Sequence, residues 1–247
     1  MIKFFRHIRR SLINQNKMSK YFKYAIGEIL LVVIGILIAL QINNWNENRK
    51  QNNLRKTLTT SIQEDLKADI NYLNKYTKRV DTLFQTLKDQ SAYVNRISYS
   101  IDSLVHFLKN DINIFIVSFK GFNNTTYESM KTSGQLNVLD ELLKKQLYEL
   151  YILQNVGRES YISSRNDYFD EIENIVASYP IPVPFSFIKK SPHNEFLWDN
   201  LNKKDLLLKL NSWGSLKANF FRTTNSDFKE ILDKTKAILQ MIEENHD

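Results

Sequence analysis

The side chains best suited to acid–base catalysis or metal binding at neutral pH are histidines, and this chain of 247 residues has four of them. They are His7, His106, His193 and His246, and no His-x-x-x-His pair occurs among them. The chain has no cysteine, which excludes a disulfide, a thiolate zinc site and a cysteine nucleophile. We therefore predict no metal site and no cofactor, and we interpret His106 as an ordinary packed or surface histidine.

Paired carboxylates are the other candidates for acid–base chemistry. Glu64 with Asp65, and Asp170 with Glu171, lie among lysines in helical sequence, where a solvated helix face is the ordinary explanation. The chain has no Gly-x-Ser-x-Gly elbow, phosphate loop or dinucleotide fingerprint. We consequently predict no catalytic residue.

An apolar segment dominates the N-terminal part of the chain. Residues 29–40 form a run of twelve without a polar side chain, and Glu28 stands just before it. Tyr24 and Trp45 flank the segment, as aromatic rings do at the two faces of a bilayer. The length and composition predict one transmembrane helix over residues 24–44. A buried core helix and a cleaved signal peptide are the alternatives.

Charge is distributed unevenly around this segment. The whole chain has a net charge of +7, from 34 basic and 27 acidic residues. Seven basic residues and no acidic residue lie in 1–23, so the rest of the chain is neutral and nucleic-acid binding is not predicted. The positive-inside bias places this arm in the cytoplasm. The seven are Lys3, Arg6, Arg9, Arg10, Lys17, Lys20 and Lys23.

The arm also carries apolar residues at helical spacing, among them Ile2, Phe5, Ile8 and Leu12. This pattern predicts an N-terminal amphipathic helix whose cations contact anionic membrane lipid at the surface. The alternative is a topology signal without an ordered helix.

Small residues recur within the predicted span. Gly27, Leu31, Gly35 and Ala39 follow each other at intervals of four, and Glu28 lies near the same side. Small residues at this spacing let two helix backbones approach closely. These five residues therefore predict a helix–helix contact, in a homo-oligomer or with a partner membrane protein. The alternative is that Glu28 reaches the membrane interface and the glycines are incidental.

The opening of the chain, MIKFFRHIRRSL followed by KYFKYAIGEILLVVIGILIALQINNWNE, resembles an uncharacterised family of single-span membrane proteins of Gram-negative bacteria, known only as a domain of unknown function. Residues 125–151, TTYESMKTSGQLNVLDELLKKQLYELY, are similar to a second feature of that family. The resemblance implies an inner-membrane anchor and a periplasmic helical domain, but no activity. The predicted organisation is thus a cytoplasmic arm over 1–23, a transmembrane helix over 24–44 and a periplasmic bundle over 45–247.

Helix breakers are scarce after the span, which predicts long helices. Apolar residues recur at threes and fours from Trp45 to about Asn95, then again over 135–178 and 203–244, with short helices near 98–108 and 125–131. We predict an all-α fold in which the transmembrane helix continues into an up-down bundle of long helices. Its many aromatic residues are interpreted as core rather than as a ligand box.

Two apolar segments look extended rather than helical: 112–119, INIFIVSF, and 181–187, IPVPFSF. They predict either a small cap at the far end of the bundle or ordered loops that cover the core. If a ligand or partner is contacted away from the membrane, the candidate residues are Ile114, Phe115, Ile116, Val183 and Phe185.

Three functional classes remain. The first is an interaction or scaffold module of the cell envelope, and the second is a sensor-like ligand-binding module that signals through a separate partner. An enzyme is the third, and the absence of a recognisable nucleophile, metal set or cofactor motif argues against it.

Overall fold

The computed structural model describes residues 10, 18–96, 101–181, 188, 192–199 and 201–244. These residues are overwhelmingly helical, and no strand occurs among them, which confirms the all-α prediction. The helices are α1 (Met18–Arg96), α2 (Ile101–Asn110), α3 (Thr125–Thr132), α4 (Glu141–Ser178), α5 (Pro192–Asp199) and α6 (Lys203–Glu244), with a short 3-10 helix at Gln135–Val138. The predicted amphipathic helix of the arm falls almost wholly outside the described residues.

The chain divides into two compact units, Met1–Thr57 and Leu58–Asp247, and α1 contributes to both. In the first unit, α1 contains a stretch long and apolar enough to cross a membrane. None of that stretch is buried within the protein, and Ile29 and Leu31 are each 64% exposed. The alternative of a buried core helix is therefore wrong for this segment.

In the second unit, α1 supplies one wall of the core. Leu66, Leu73, Val80 and Leu87 are spaced by seven residues and are all buried, with Leu73 and Val80 fully so. A spacing of seven returns a side chain to nearly the same face after two helical turns. This stripe packs in the bundle as the sequence pattern predicts.

The long helices α1 and α6 run antiparallel. Lys67 forms an ion pair of 3.1 Å with Glu243 near the end of α6. Further along α1, the ring of Phe84 lies 6.1 Å from that of Phe221, which is more than twenty residues earlier in α6. Buried aromatic and aliphatic side chains fill the space between the two helices.

Helices α4 and α6 are also antiparallel. Lys234 pairs with Glu149 at 2.7 Å near the beginning of α4, whereas Lys209 donates to the carbonyl of Asn174, at 3.1 Å, near its end. Since both α1 and α4 oppose α6, they run in the same direction. An up-down bundle therefore needs one more element that runs in the direction of α6, and this element must connect α1 to α4.

The element that connects α1 to α4 in this direction is mainly an extended segment rather than a helix. The chain over 112–124 has no helix or strand, and it runs back along α1 before entering α3. At its beginning, Gln90 donates to the carbonyl of Asp111 at 2.7 Å, and further along Tyr72 accepts from the backbone N–H of Lys120 at 2.9 Å. For 112–119 the structure therefore supports an ordered segment that packs on the core. Pairing with 182–187 lies outside the described residues.

Two details of the helices differ from the sequence prediction. The second long helix begins at Glu141 rather than Gln135, because Asp140 has extended backbone angles and its side chain accepts from the N–H of Leu143 at 2.8 Å. This is an N-cap, which fixes where the helix starts. Helix α5 was not predicted, since its sequence begins with Pro192 and is only eight residues long.

Among the described aromatic residues that the sequence predicts in the core, six are buried, two are half-buried against it and three are exposed. The buried ones are Phe122, Tyr127, Tyr161, Tyr168, Trp198 and Trp213, and the half-buried ones are Phe119 and Tyr151. Phe185 and Phe187 lie outside the described residues. Phe115 is 59% exposed, Tyr148 57% and Phe169 37%, so the core interpretation is wrong for these. The apolar pattern of the second long helix also predicts Leu142 on its inner side, together with Leu143 and Leu147, but Leu142 is 56% exposed. Helical spacing defines a face only approximately, and residues at its margin are decided by which neighbouring element packs there.

Candidate functional site

The five residues of the predicted helix–helix contact all lie on α1 in the first unit. The face is open within the chain: a Cβ atom added at Gly27 or at Gly35 would have nothing within 4 Å. Leu31 and Ala39 are exposed, and Glu28 is half-buried. The contact stays a prediction.

The basic residues predicted to meet the membrane surface are only partly described. Arg10 and Lys23 are exposed, and Lys20 is part of α1. The others, Lys3, Arg6, Arg9 and Lys17, lie outside the described residues.

Of the predicted distal contacts, Ile114, Phe115 and Ile116 lie on the extended segment 112–124. Ile114 and Ile116 are half-buried against the core, and Phe115 is exposed. Val183 and Phe185 lie outside the described residues. The structure therefore leaves Phe115 as the solvent-facing member of this group.

Side chains hold the extended segment, and among the described residues no strand pairs with its backbone. The hydroxyl groups of Tyr76, from α1, and Tyr161, from α4, both donate to the carbonyl of Val117 at 3.3 Å. The hydroxyl of Tyr168 donates to the carbonyl of Ile114. A buried carbonyl without a partner is costly, so these tyrosines supply what a neighbouring strand would otherwise provide. Burial raises the pKa of Tyr76 and of Tyr168, which keeps both hydroxyls protonated as donors.

The same segment places Phe119 at the centre of an aromatic cluster. Its ring centroid lies 4.6 Å from Phe228, 5.5 Å from Tyr161 and 5.9 Å from Tyr76. These partners come from α6, α4 and α1, so one side chain from the loop joins all three long helices. Aromatic contacts of this kind add to the energy of area burial, which explains why the segment is fixed without regular structure.

A lysine lies buried beside this segment. Lys217 of α6 is only 2% exposed, and its ammonium donates to the carbonyl of Asn113. The ammonium lies over the rings of Trp213, at 5.1 Å, and Phe221, at 5.8 Å, and no ion pair to Lys217 occurs among the described residues. Burial lowers the pKa of Lys217 to about 7. A buried amine with a lowered pKa resembles a catalytic group, but this amine is inaccessible to solvent and is bonded to a backbone carbonyl.

Asp69 is the one buried carboxylate among the residues that the structure describes. It is 3% exposed and accepts two hydrogen bonds, from the N–H of Asn123 at 2.8 Å and from Nε2 of Gln154 at 3.1 Å. Asp69 thereby ties α1 to the end of the extended segment. One helical turn earlier, Asp65 accepts from the N–H of Thr126, in the first turn of α3, at 3.0 Å. Burial raises the pKa of Asp69 to about 6. A cavity of about 30 Å³ adjoins these residues, which is room for one water molecule and not for an organic ligand.

A much larger cavity lies elsewhere in the second unit, between the C-terminal part of α1, α2 and α6. Its volume is about 610 Å³, within the roughly 300–1,000 Å³ of small-molecule sites. Its wall is mainly apolar, with neutral polar groups and a single charged residue, Lys88, among the described lining residues. The larger apolar members of the wall are Phe84, Leu87, Phe107, Leu210 and Trp213.

Sequence reasoning did not identify Lys217, Asp69, or the cavity. The sequence gives a weak indication that Lys217 and Asp69 are buried, since each falls on the apolar face of its helix, where a charged residue is unusual. The sequence gives no indication of the cavity, because its wall combines residues from three helices that are far apart in the chain. Among the described residues, no group of three or more His, Asp or Glu side chains is placed to hold a metal ion.

Comparison with known proteins yields one match. A family model described as a family of unknown function (DUF6090) matches residues 28–156, about half of the chain. The matched range contains Asp69, Asn123 and Gln154 together. It begins after the opening motif MIKFFRHIRRSL, which therefore lies outside it. No curated protein and no solved structure matches the chain.

Proposed function

Because the chain belongs to the DUF6090 family of unknown function, we propose a role from its own residues: a membrane-anchored helical bundle that acts by binding, as an interaction module of the cell envelope. The apolar stretch of α1 carries this proposal, because it is long enough to span a bilayer and none of it is buried within the protein. Exposed apolar surface of that extent needs a non-aqueous environment.

The charge pattern supports an orientation for the anchor. All of the net positive charge resides in 1–23, which favours a cytoplasmic arm and a periplasmic bundle in the inner membrane. A reporter enzyme fused after Asp247 tests this orientation: periplasmic activity is expected, and activity in the cytoplasm contradicts it.

Binding rather than catalysis is supported by how the buried polar groups are used. The hydroxyls of Tyr76, Tyr161 and Tyr168 and the ammonium of Lys217 all bond to backbone carbonyls. Asp69 accepts from a backbone N–H. Groups that could serve as acids or bases are thereby committed to holding the extended segment and its continuation.

Membrane extraction tests the anchor. We expect the full chain to float with lipid and to resist carbonate extraction. Replacing Val33 and Leu37 together by lysine should release it, since a lysine near the centre of a spanning helix costs roughly 2.5–3.5 kcal/mol. The matched control places two lysines at Ile152 and Val156 of α4, which are 43% and 57% exposed.

The control variant should remain in the membrane like the unchanged chain. If the Val33 and Leu37 variant resists extraction as well as the control does, the anchor is not this stretch of α1. If the unchanged chain is itself soluble, the proposal fails.

The second candidate function is a sensor-like ligand-binding module, and the 610 Å³ cavity specifically favours it. A site of this size could report occupancy to a membrane partner, because one of its walls belongs to the same helix that holds the apolar stretch. Saturable binding of a small molecule to the full chain would distinguish this function from a scaffold that binds only proteins.

A further inference from the structure

The wall of the large cavity has a chemical asymmetry. Its apolar part includes Phe84, Phe107, Leu210 and Trp213, contributed by α1, α2 and α6. Such a surface favours an alkyl or aromatic body, because burying apolar area is the main source of affinity in sites of this kind. The wall also carries five neutral polar residues that can bond to uncharged polar groups of a ligand: Gln90, Ser91, Asn95, Asn211 and Ser215.

Among the described lining residues of the cavity, one is positively charged and none is negatively charged. Lys88 is an exposed lining residue, and its Nζ atom lies 4.4 Å from the ring centroid of Phe84. It forms no ion pair in the described part of the chain, and no described carboxylate belongs to the lining. The ammonium of Lys88 therefore gives the cavity a positive electrostatic potential, which favours a ligand with an anionic head group.

We propose that this cavity binds a single-chain amphipathic carboxylate, with its alkyl chain along the apolar wall and its head group beside Lys88. The inference rests on the second proposed function, ligand binding by the bundle, and not on the membrane anchor. A volume of about 610 Å³ suits one small molecule, and a single alkyl chain uses the apolar wall without needing a second charged contact.

Gly214 provides a way to close the cavity. It lines the space between the helices, and a Cβ atom added there would have nothing within 4 Å. Gly214→Leu should therefore project a side chain into the cavity without displacing the wall, and the leucine should itself favour the helix. Gly214→Ala is the matched control, because it makes the same backbone change and occupies little of the volume.

Trp213 provides the signal. It lines the cavity, is 4% exposed, and is fixed by a hydrogen bond of 3.2 Å from its Nε1 to the hydroxyl of Tyr168. In the full chain with Trp45→Phe and Trp198→Phe, reconstituted in lipid nanodiscs, Trp213 is the only tryptophan. A terminally brominated undecanoate then quenches its fluorescence on contact.

Three probes of the same chain length define the ligand class: the undecanoate, the corresponding alcohol and the corresponding trimethylammonium. We expect saturable quenching that is strongest for the carboxylate, weaker for the alcohol and absent for the cation. Lys88→Gln should weaken carboxylate binding roughly two- to fivefold, the range of an exposed ion pair, and leave the alcohol unchanged.

Gly214→Leu should abolish saturable quenching by every probe, and Gly214→Ala should retain it. Equal binding of the three probes, or a Lys88→Gln variant that binds carboxylate normally, overturns the anionic assignment and leaves the cavity as a binding site. Quenching that never saturates, or that survives Gly214→Leu, overturns the cavity as a site. Native mass spectrometry of the unmutated full chain with undecanoate checks the result without the two tryptophan substitutions, and one bound ligand is expected.

Discussion

The burial of Lys217 without an acidic partner has a measurable consequence for stability. The side chain is 2% exposed, and burial lowers its pKa from 10.5 to about 7. In the unfolded chain the amine stays protonated up to the higher value. Between these pH values the unfolded state therefore binds more protons than the folded state does.

The sign and size of the effect follow from proton linkage. When the unfolded state binds more protons, the free energy of unfolding rises with pH, by at most about 1.4 kcal/mol per pH unit for one group. From pH 7 to pH 9.5 the gain from Lys217 is consequently about 3 kcal/mol. The gain is absent below pH 7, where both states hold the charge. Near pH 9.5 the buried tyrosines begin to oppose the trend, because the unfolded chain starts to lose tyrosine protons that Tyr76 and Tyr168 keep in the folded state.

The substitution that tests this is Lys217→Met, which keeps the length of the side chain and removes its charge. It also leaves the carbonyl of Asn113 without its donor, a cost of about 1–3 kcal/mol, so its stability at one pH is uninformative. The informative quantity is the slope. Urea unfolding in mild detergent, followed by tryptophan fluorescence from pH 7 to 9.5, should show rising stability in the unchanged chain and a much flatter profile in Lys217→Met.

Lys229→Met is the control, because Lys229 is an exposed lysine of the same helix whose side chain is 52% accessible. It should keep the slope of the unchanged chain. A slope that is the same in the unchanged chain and in Lys217→Met would refute the argument that a buried, unpaired ammonium limits the stability of the bundle at neutral pH.

Two further predictions concern the core. Burial raises the pKa of Asp69 from 3.8 to about 6, so the folded state binds more protons than the unfolded state between these pH values. The free energy of unfolding should therefore fall by up to about 3 kcal/mol as pH rises from 4 to 6. Asp69→Asn should remove this fall in the same urea titrations, and an unchanged pH profile contradicts the assignment. Gly157→Ala should destabilise the folded chain, because the added Cβ would lie 2.7 Å from Cδ1 of Ile231, which is fully buried. Such overpacking costs about 1–3 kcal/mol, whereas the higher helix propensity of alanine returns roughly 1 kcal/mol. Adding Ile231→Val, which removes Cδ1, should recover much of the lost stability. Gly214→Ala is the control and should stabilise the chain, because nothing lies within 4 Å of its Cβ. Strictly additive effects of the substitutions at Gly157 and Ile231 would exclude the clash.

Much of the fold could be predicted from sequence because it depends on local periodicity. The stripe through Leu66, Leu73 and Val80 predicts a buried face of one long helix, and those residues are buried. Helix ends were predicted to within a few residues where a breaker or a cap stands nearby. Asp140 shows the limit, since an N-cap competes with a helical pattern that also fits the residues before it.

The candidate sites were predicted far less well. The contact residues around Gly35 and the arm cations came from sequence and stay predictions, whereas Asp69, Lys217 and the cavity were found only in the structure. Their properties come from residues far apart in the chain: Asp69 is bonded by Gln154 and Asn123, and no periodicity relates such positions.

The sequence by itself determined the all-α class, an apolar stretch able to span a membrane, and the concentration of net charge in the first 23 residues, because each is a property of a contiguous segment. Only the tertiary structure decided that the extended segment 112–124 packs along the bundle and is held by tyrosine hydroxyls, and that Lys88 lines a cavity. Both features depend on contacts between distant parts of the chain, because buried backbone groups must find hydrogen-bond partners and a cavity forms where the packed side chains do not fill the space between helices.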